Sequence, residues 1–211
     1  MKTLIISDLH GNLPALEDLH NLHPSINNWI SLGDNVNYGP WSNECVQFLE
    51  QRINCISLIG NHEKYFLQGF YEGSNKLVEI FFEKCFSTFC EFNILKKYKK
   101  NTTLDNFYLA HTIKNKYIFK DTKVSIDKHS VIGHSHQQYK VKKSGFMLIN
   151  PGSLGQDRAY INRGNYIIYC SETKKFQLKR FIYNFNYLIN EMKSKKYPDE
   201  CINYYLSKER L

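Results

Sequence analysis

Four short apolar runs in this chain each stop on a polar block that holds aspartate, asparagine or histidine. Thr3 to Ser7 ends at Asp8, with His10 two residues on. Asn28 to Leu32 ends at Gly33-Asp34, Asn54 to Ile59 at Gly60-Asn61-His62, and Phe107 to Ala110 at His111. A fifth block, Gly133-His134-Ser135-His136, follows the short stretch Ser130 to Ile132. Runs of this length and composition read as β-strands. In open α/β sheets the carboxyl ends of the strands form the edge where ligands bind. The pattern therefore asks for a fold that gathers several strand ends in one place.

The segments between the strands read as helices. Leu13 to Leu19 is one, with Pro14 in its first turn, where proline is tolerated. Ser42 is expected to cap a second helix through about Gln51, with Cys45, Val46, Phe48 and Leu49 on its apolar side. Within 64–100, Leu77, Ile80, Phe81, Cys85, Phe89 and Phe92 recur at three- and four-residue steps and form one apolar face. The second half turns to strands, with Phe146 to Ile149, Tyr166 to Cys170 and Phe176 to Phe181 added to those above. The tail from Tyr183 to Leu211 reads as two short helices broken near Tyr197-Pro198. No repeat, linker or domain boundary interrupts the chain. With 42% hydrophobic residues, 211 residues can bury one core, so one domain over 1–211 is expected. The architecture is a sandwich of two sheets with helices outside, the loops of both halves meeting at one end.

Composition narrows the class. No run of about 18 apolar residues is present, so no membrane span is expected. The chain opens directly on a strand that leads into a motif, which reads as a protein without a signal peptide and hence cytoplasmic. The six cysteines form no C-x-x-C pair and read as reduced, mostly buried thiols. The formal charge of +8 leaves a nucleic-acid partner open. The lysine runs, however, are short and scattered, which favours a solvated surface.

The polar blocks contain what a hydrolytic two-metal centre requires: anionic oxygen and neutral imidazole together. Asp8 and His10, and likewise His134 and His136, are spaced two apart and can face one side. Asp34 follows a glycine that permits close backbone approach, and its two carboxylate oxygens can bridge two cations. Asn61 offers a neutral amide oxygen, and His111 follows its own strand. With His62 beside Asn61, five of the eight histidines belong to these blocks. His20, His23 and His129 have no such company and read as surface or helix-end residues.

The ordered set resembles the calcineurin-like metallophosphoesterases. The matching segments are Ser7-Asp8-Leu9-His10-Gly11-Asn12, Gly33-Asp34, Gly60-Asn61-His62-Glu63, Ala110-His111 and Gly133-His134-Ser135-His136. Asn150-Pro151-Gly152-Ser153-Leu154-Gly155-Gln156 is similar to the segment after the last block in the small bacterial and archaeal branch. The resemblance spans residues 2 to about 182. It implies a four-layer α/β/β/α sandwich, two mixed sheets with flanking helices. It also implies two divalent metal ions, Mn²⁺ first, with Fe, Co²⁺, Ni²⁺ and Zn²⁺ as alternatives. Asp8, His10, Asp34 and His136 would hold one metal; Asp34, Asn61, His111 and His134 would hold the other. The implied reaction is hydrolysis of a small phosphodiester or phosphomonoester, nucleotidic substrates included, by a hydroxide shared between the metals. His62 corresponds to the family's non-ligand histidine, which protonates the leaving oxygen or stabilises the transition state, so His62 and Asp34 are the expected catalytic residues. Glu63 either orients His62 or serves as an acid at a helix N-terminus.

The chain departs from that pattern in places. Where the Ser/Thr phosphatase branch and the symmetric diadenosine tetraphosphate hydrolases carry a phosphate-gripping Asp-Arg-Gly, this sequence reads Asn37-Tyr38-Gly39. His111 is followed by Thr112 rather than glycine, and there is no room for the cap of the nuclease branch. Arg158 and Asn12 are the candidates for touching substrate phosphate; Asn12 is alternatively a turn or helix-cap residue. Tyr38 and Trp41 are candidates for stacking on a base or aryl group. Two alternatives to the leading function remain: a Ser/Thr-type protein phosphatase or dinucleoside polyphosphate hydrolase, and a non-catalytic interaction scaffold of the same fold.

Overall fold

The computed structural model describes residues 1–211, apart from the side chain of Arg52. Two five-stranded sheets form. In the first, β1 (Lys2–Ile6), β2 (Asn28–Ser31) and β3 (Ile56–Ser57) run parallel, and β1 pairs antiparallel with β9 (Arg163–Cys170), which pairs with β10 (Lys175–Ile182). In the second, β5 (Phe107–Ala110), β6 (Ser130–Ile132) and β8 (Phe146–Asn150) are parallel. The antiparallel strands β4 (Asn101–Leu104) and β7 (Tyr139–Lys143) close its edges. Because β9 and β10 complete the sheet that β1 begins, the ends of the strand region belong to one packing unit.

Strand alternation sorts the side chains. Ile5, Ile30, Leu32, Val131 and Ile149 point between the sheets with Tyr169 and Phe176. Leu4, Ile6 and Trp29 point outward, under α1 (Leu13–Leu22) and α2 (Ser42–Gln47). A second helical layer packs Phe81 and Cys85 of α4 (Lys76–Phe86) with Phe66 of α3 (Asn61–Gln68) and Ile94 of α5 (Phe92–Leu95). It also takes in Leu188 and Met192 of α6 (Asn186–Ser194) and Tyr205 of α7 (Asp199–Leu206). The expected two mixed sheets with flanking helices are therefore present. Over the outer face of the second sheet the covering layer is an irregular segment, whose Ile118 and Ile126 pack on Ile132, Tyr139 and Leu148.

Some local expectations differ from the structure. The helix beginning at Ser42 passes at Phe48 into a π-helical turn, Phe48–Arg52. Ser42 is its first residue rather than its cap, and the Ser42 hydroxyl accepts a hydrogen bond from the Asn37 N–H. The third strand shortens to two residues. Strands β4 and β7 were not anticipated, since their alternating polar residues give no apolar run. All six cysteines are free thiols; Cys45, Cys55, Cys85 and Cys201 are buried.

Truncating a side chain between the sheets should be far costlier than truncating one at the sheet margin. Ile5→Ala, at a fully buried position, is expected to lower unfolding free energy by about 2–5 kcal/mol. Ile182→Ala, at 62% exposure, should change it by less than about 0.5 kcal/mol. Urea unfolding of the two variants measures the difference.

Candidate metal centre

The carboxyl ends of the parallel strands in both sheets meet at one edge. Asp8 and His10 follow β1, Asp34 follows β2, and Asn61 and His62 open α3. His111 follows β5, and His134 and His136 follow β6. Asp8 N–H donates to Gly33 O at 2.9 Å and His10 N–H to Asp34 O at 2.9 Å, so the first two loops extend the sheet pairing into the site. Asp8, His10, Asp34, His134 and His136 all have left-handed backbone, with φ between 51° and 66°. Aspartate and histidine tolerate this region better than most residues. Concentrated strain of this kind is a feature of functional sites.

These residues form three tight donor groups: Asp8, His10 and His136; Asp34, His111 and His134; and His10, Asp34 and His62. In the first, His10 Nδ1 donates to Val36 O (3.2 Å) and His136 Nδ1 to Gln156 O (2.7 Å). A carbonyl only accepts, so in the neutral form of either ring Nε2 carries the lone pair. The two Nε2 atoms face each other at 3.2 Å. Asp8 Oδ1 stands 3.3 Å from His136 Nε2 and takes no hydrogen bond among the described residues, while Asp8 Oδ2 accepts from His134 N–H at 3.0 Å. Burial and the neighbouring His136 and His62 push His10 well below its ordinary pKa, which keeps it neutral. Three buried lone-pair atoms facing one another repel unless a cation lies among them, so this group fits a metal ion.

The second group repeats the design. His111 Nδ1 donates to Leu32 O at 3.1 Å. Its Nε2 faces Asn61 Oδ1 (3.1 Å), His134 Nδ1 (3.2 Å) and Asp34 Oδ2 (3.1 Å). Without metal a proton can occupy this point: burial works against it, but the Asp34 carboxylate raises His111 to about 9. Burial alone would raise the Asp34 carboxyl, yet His111 and His62 hold it well below the usual carboxylate range.

His62 differs from the other histidines of the site. Its Nδ1 accepts from Asn37 Nδ2 at 2.9 Å, which leaves the ring proton on Nε2, 4.0 Å from Asp34 Oδ2. The ring thus turns a donor, not a lone pair, into the site. Burial pushes its pKa down to about 4. Asn37 was not singled out in the sequence; its signal was its place two residues before the glycine of the Asn-Tyr-Gly departure.

Glu63 does not orient His62. Its buried carboxylate accepts from the backbone N–H of Asp34 (2.8 Å), Asn35 (2.6 Å) and Gly60 (2.7 Å). It ties the Asp34 loop to the start of α3. Gly60 fits there because a Cβ would overlap the Asp34 carboxylate.

Asn12 is buried as the cap of α1. Its Oδ1 accepts from Ala15 N–H, and its amide donates to Gly155 O (2.8 Å) and Tyr183 Oη (2.9 Å), which removes it from the phosphate-binding candidates. Trp41 packs between two core clusters and does not line the cavity. Tyr38 does line it, edge-on to His10. Arg158 stands on the cavity wall beside the Tyr38, Tyr117 and Tyr204 hydroxyls. The segment after the last histidine block braces the site: Asn150 Nδ2 donates to Gly133 O (2.7 Å) and Ser153 Oγ to Asp8 O (2.6 Å).

The family model of the calcineurin-like phosphoesterases matches residues 1–149. The chain belongs to that family. The match supports phosphate-ester hydrolysis dependent on divalent metal ions. An uncharacterized protein of Methanocaldococcus jannaschii is 27% identical, over 92% of this chain and 93% of its own length. A 76-residue stretch, 35% of this chain and 34% of the relative, is 36% identical to serine/threonine-protein phosphatase 2 of Escherichia coli. Among solved structures, a metallophosphoesterase from Sphaerobacter thermophilus superposes with a TM-score of 0.82 at 22% identity, covering 98% of this chain and 99% of its own. A hypothetical protein of Pyrococcus horikoshii gives 0.80 at 14% identity, covering 100% and 99%. Both share the fold of this calcineurin-like phosphoesterase.

Two outcomes follow from this geometry. Glu63→Gln places an amide N–H₂ against backbone donors; the fold should lose about 1–3 kcal/mol in urea unfolding, and metal affinity should fall although no ligand is changed. Below about pH 9, a cation must displace the His111 proton. Metal affinity of the apo-protein should therefore tighten about tenfold per pH unit from pH 6 to 8, as read by competition with a chromogenic chelator.

Proposed function

We propose that the protein is a binuclear metallophosphoesterase that hydrolyses small phosphodiesters or phosphomonoesters. The observation that supports this most directly is the place of Asp34. It belongs to the donor group with His111 and His134, and also to the group with His10 and His62. A carboxylate reaching both sides is what a bridging ligand requires. Asp8, His10, Asp34 and His136 would hold one ion, and Asp34, Asn61, His111 and His134 the other. Mixed carboxylate and imidazole donors suit Mn²⁺, with Fe, Co²⁺, Ni²⁺ and Zn²⁺ as alternatives. Bound there, the ions would neutralise phosphoryl oxygens and acidify water.

The protein's own groups supply the rest. As water adds to phosphorus and the ester P–O bond breaks, the proton released by the water ends on the leaving oxygen, whose developing charge is stabilised by a hydrogen bond from the His62 Nε2 proton. The hydrogen bond to Asn37 keeps that proton on the side of the site. Arg158 adds positive charge at the rim for a phosphoryl oxygen. The domain is read as a single unit over 1–211, since the first sheet needs β9 and β10. The free thiols suit a cytoplasmic setting. No helix among the described residues is long and apolar enough to cross a membrane.

A non-catalytic scaffold would have no use for a buried histidine that presents a donor beside converging lone pairs. The test is turnover of p-nitrophenyl phosphate and bis-p-nitrophenyl phosphate with Mn²⁺, paired with metal analysis. Both esters are expected to react. His62→Ala should keep its metal while kcat falls by about 10²–10⁴, with the smaller loss on esters of good leaving groups. Full activity in that variant, or metal loss, would remove His62 from the hydrogen-bond-donor role.

A further inference from the structure

The cavity above the donor groups has a volume of about 150 Å³ and an aromatic wall. Tyr38, Tyr65, Tyr71, Tyr117 and Tyr204 all line it, with Leu77 and Val78 beside them. Among the described residues, Asp34 is the only carboxylate on its surface and Arg158 the only fixed cation. The tyrosines are anchored to the site's own histidines. Tyr117 stacks on His134 with centroids 3.8 Å apart and planes 22° from parallel, yet remains 53% exposed. Across from the ligands, Tyr65 meets His62 edge-on at 5.7 Å, and Tyr71 meets Tyr65 edge-on at 5.1 Å. These contacts fix the ring planes before anything binds, while half-buried Tyr65 and Tyr71 and exposed Tyr117 keep aromatic surface open.

Resting on the hydrolytic reading, we propose that the site selects nucleobase-bearing phosphate esters, the base held between Tyr117 and the Tyr65–Tyr71 pair. A base has two planar faces for stacking and polar edges for the tyrosine hydroxyls. Stacking of this kind accepts any base, because each has a π-face. The ester's negative charge points to the donor groups and Arg158. A glycerol or other polyol substituent has no planar face, so it leaves the rings without a partner. A glycosyl substituent engages only one.

The test compares ligands that differ in the base. Binding of adenosine 5′-methylenephosphonate and of butylphosphonate to the Mn²⁺-loaded protein is measured by calorimetry. In parallel, thymidine 5′-p-nitrophenyl phosphate and methyl p-nitrophenyl phosphate are compared by kcat/KM. The base-bearing compound is expected to be favoured at least tenfold in each pair. Tyr71→Ala and Tyr117→Ala should each cut that preference about fivefold or more, and the Phe variants should retain it. Manganese content is measured alongside. If Tyr117→Ala loses metal through its stack on His134, Tyr71→Ala decides, because Tyr71 contacts Tyr65 rather than a ligand. Equal affinity for the two phosphonates, or a preference untouched by Tyr71→Ala, overturns the proposal while leaving hydrolysis intact. Base-dependent binding that falls in Tyr71→Ala, without cleavage of either p-nitrophenyl ester, upholds the base site and rejects the hydrolytic reading instead.

Discussion

The site depends on one buried carboxylate that touches no substrate. Glu63 gathers the N–H groups of Asp34, Asn35 and Gly60, so the loop after β2 and the first turn of α3 cannot move independently. The link is reciprocal, since Asp34 Oδ1 accepts from His62 N–H at 2.9 Å. A charge-assisted set of this kind, shut away from water, is strong where it is complete and costly where one member is lost. Through it, the position of Asp34 between the two donor groups is fixed by backbone rather than by the ligand side chains themselves.

That rigidity offsets two unfavourable features. Five of the donor residues sit in left-handed backbone, each at a cost of about 1–2 kcal/mol. Their lone pairs also converge in a buried space, where repulsion is little screened. Loops left free would relax on both counts. Here the loops are laced to each other by Asp8, His10 and Gly11 N–H bonds, to the opposite sheet by His134 N–H on Asp8, and to the 150–156 turn by Ser153. A cation placed among the donors would release this conflict.

Much of this was legible in the sequence because strand ends leave a local signature. Asp8, His10, Asp34, Asn61, His111, His134 and His136 were all identifiable as apolar runs stopping on polar residues, and the structure brings all of them to one edge. What could not be read was anything set by tertiary contact. Glu63 and Asn12 keep the helix-end roles that their neighbourhood in sequence offered, on Gly60 N–H and Ala15 N–H, but each also serves backbone groups far away in sequence. Asn37 holds His62 across 25 residues. Strands β4 and β7 escaped because an edge strand with one solvated face carries no apolar run. Trp41 was a reasonable stacking candidate by position but faces the core, a choice that helix rotation makes and composition does not reveal.

The aromatic wall shows the same division at the level of specificity. The candidate metal donors come from residues 8–136 and lie within the segment the family model matches. The wall also needs Tyr204 from α7 and Arg158 from the turn after β8, both beyond that segment. Tyr38 occupies the position where the resembling phosphatase branch has a phosphate-gripping arginine, and it packs against His10 at 4.7 Å and His62 at 5.4 Å. A planar neutral ring there cannot replace a guanidinium's charge. Arg158 is the cationic side chain on the same cavity wall among the described residues. The chemistry is thus built by the strand ends. The aromatic surface beside them comes from a loop at 117, the end of α3 with the turn after it, and the C-terminal tail, and its rings rest directly on His134 and His62.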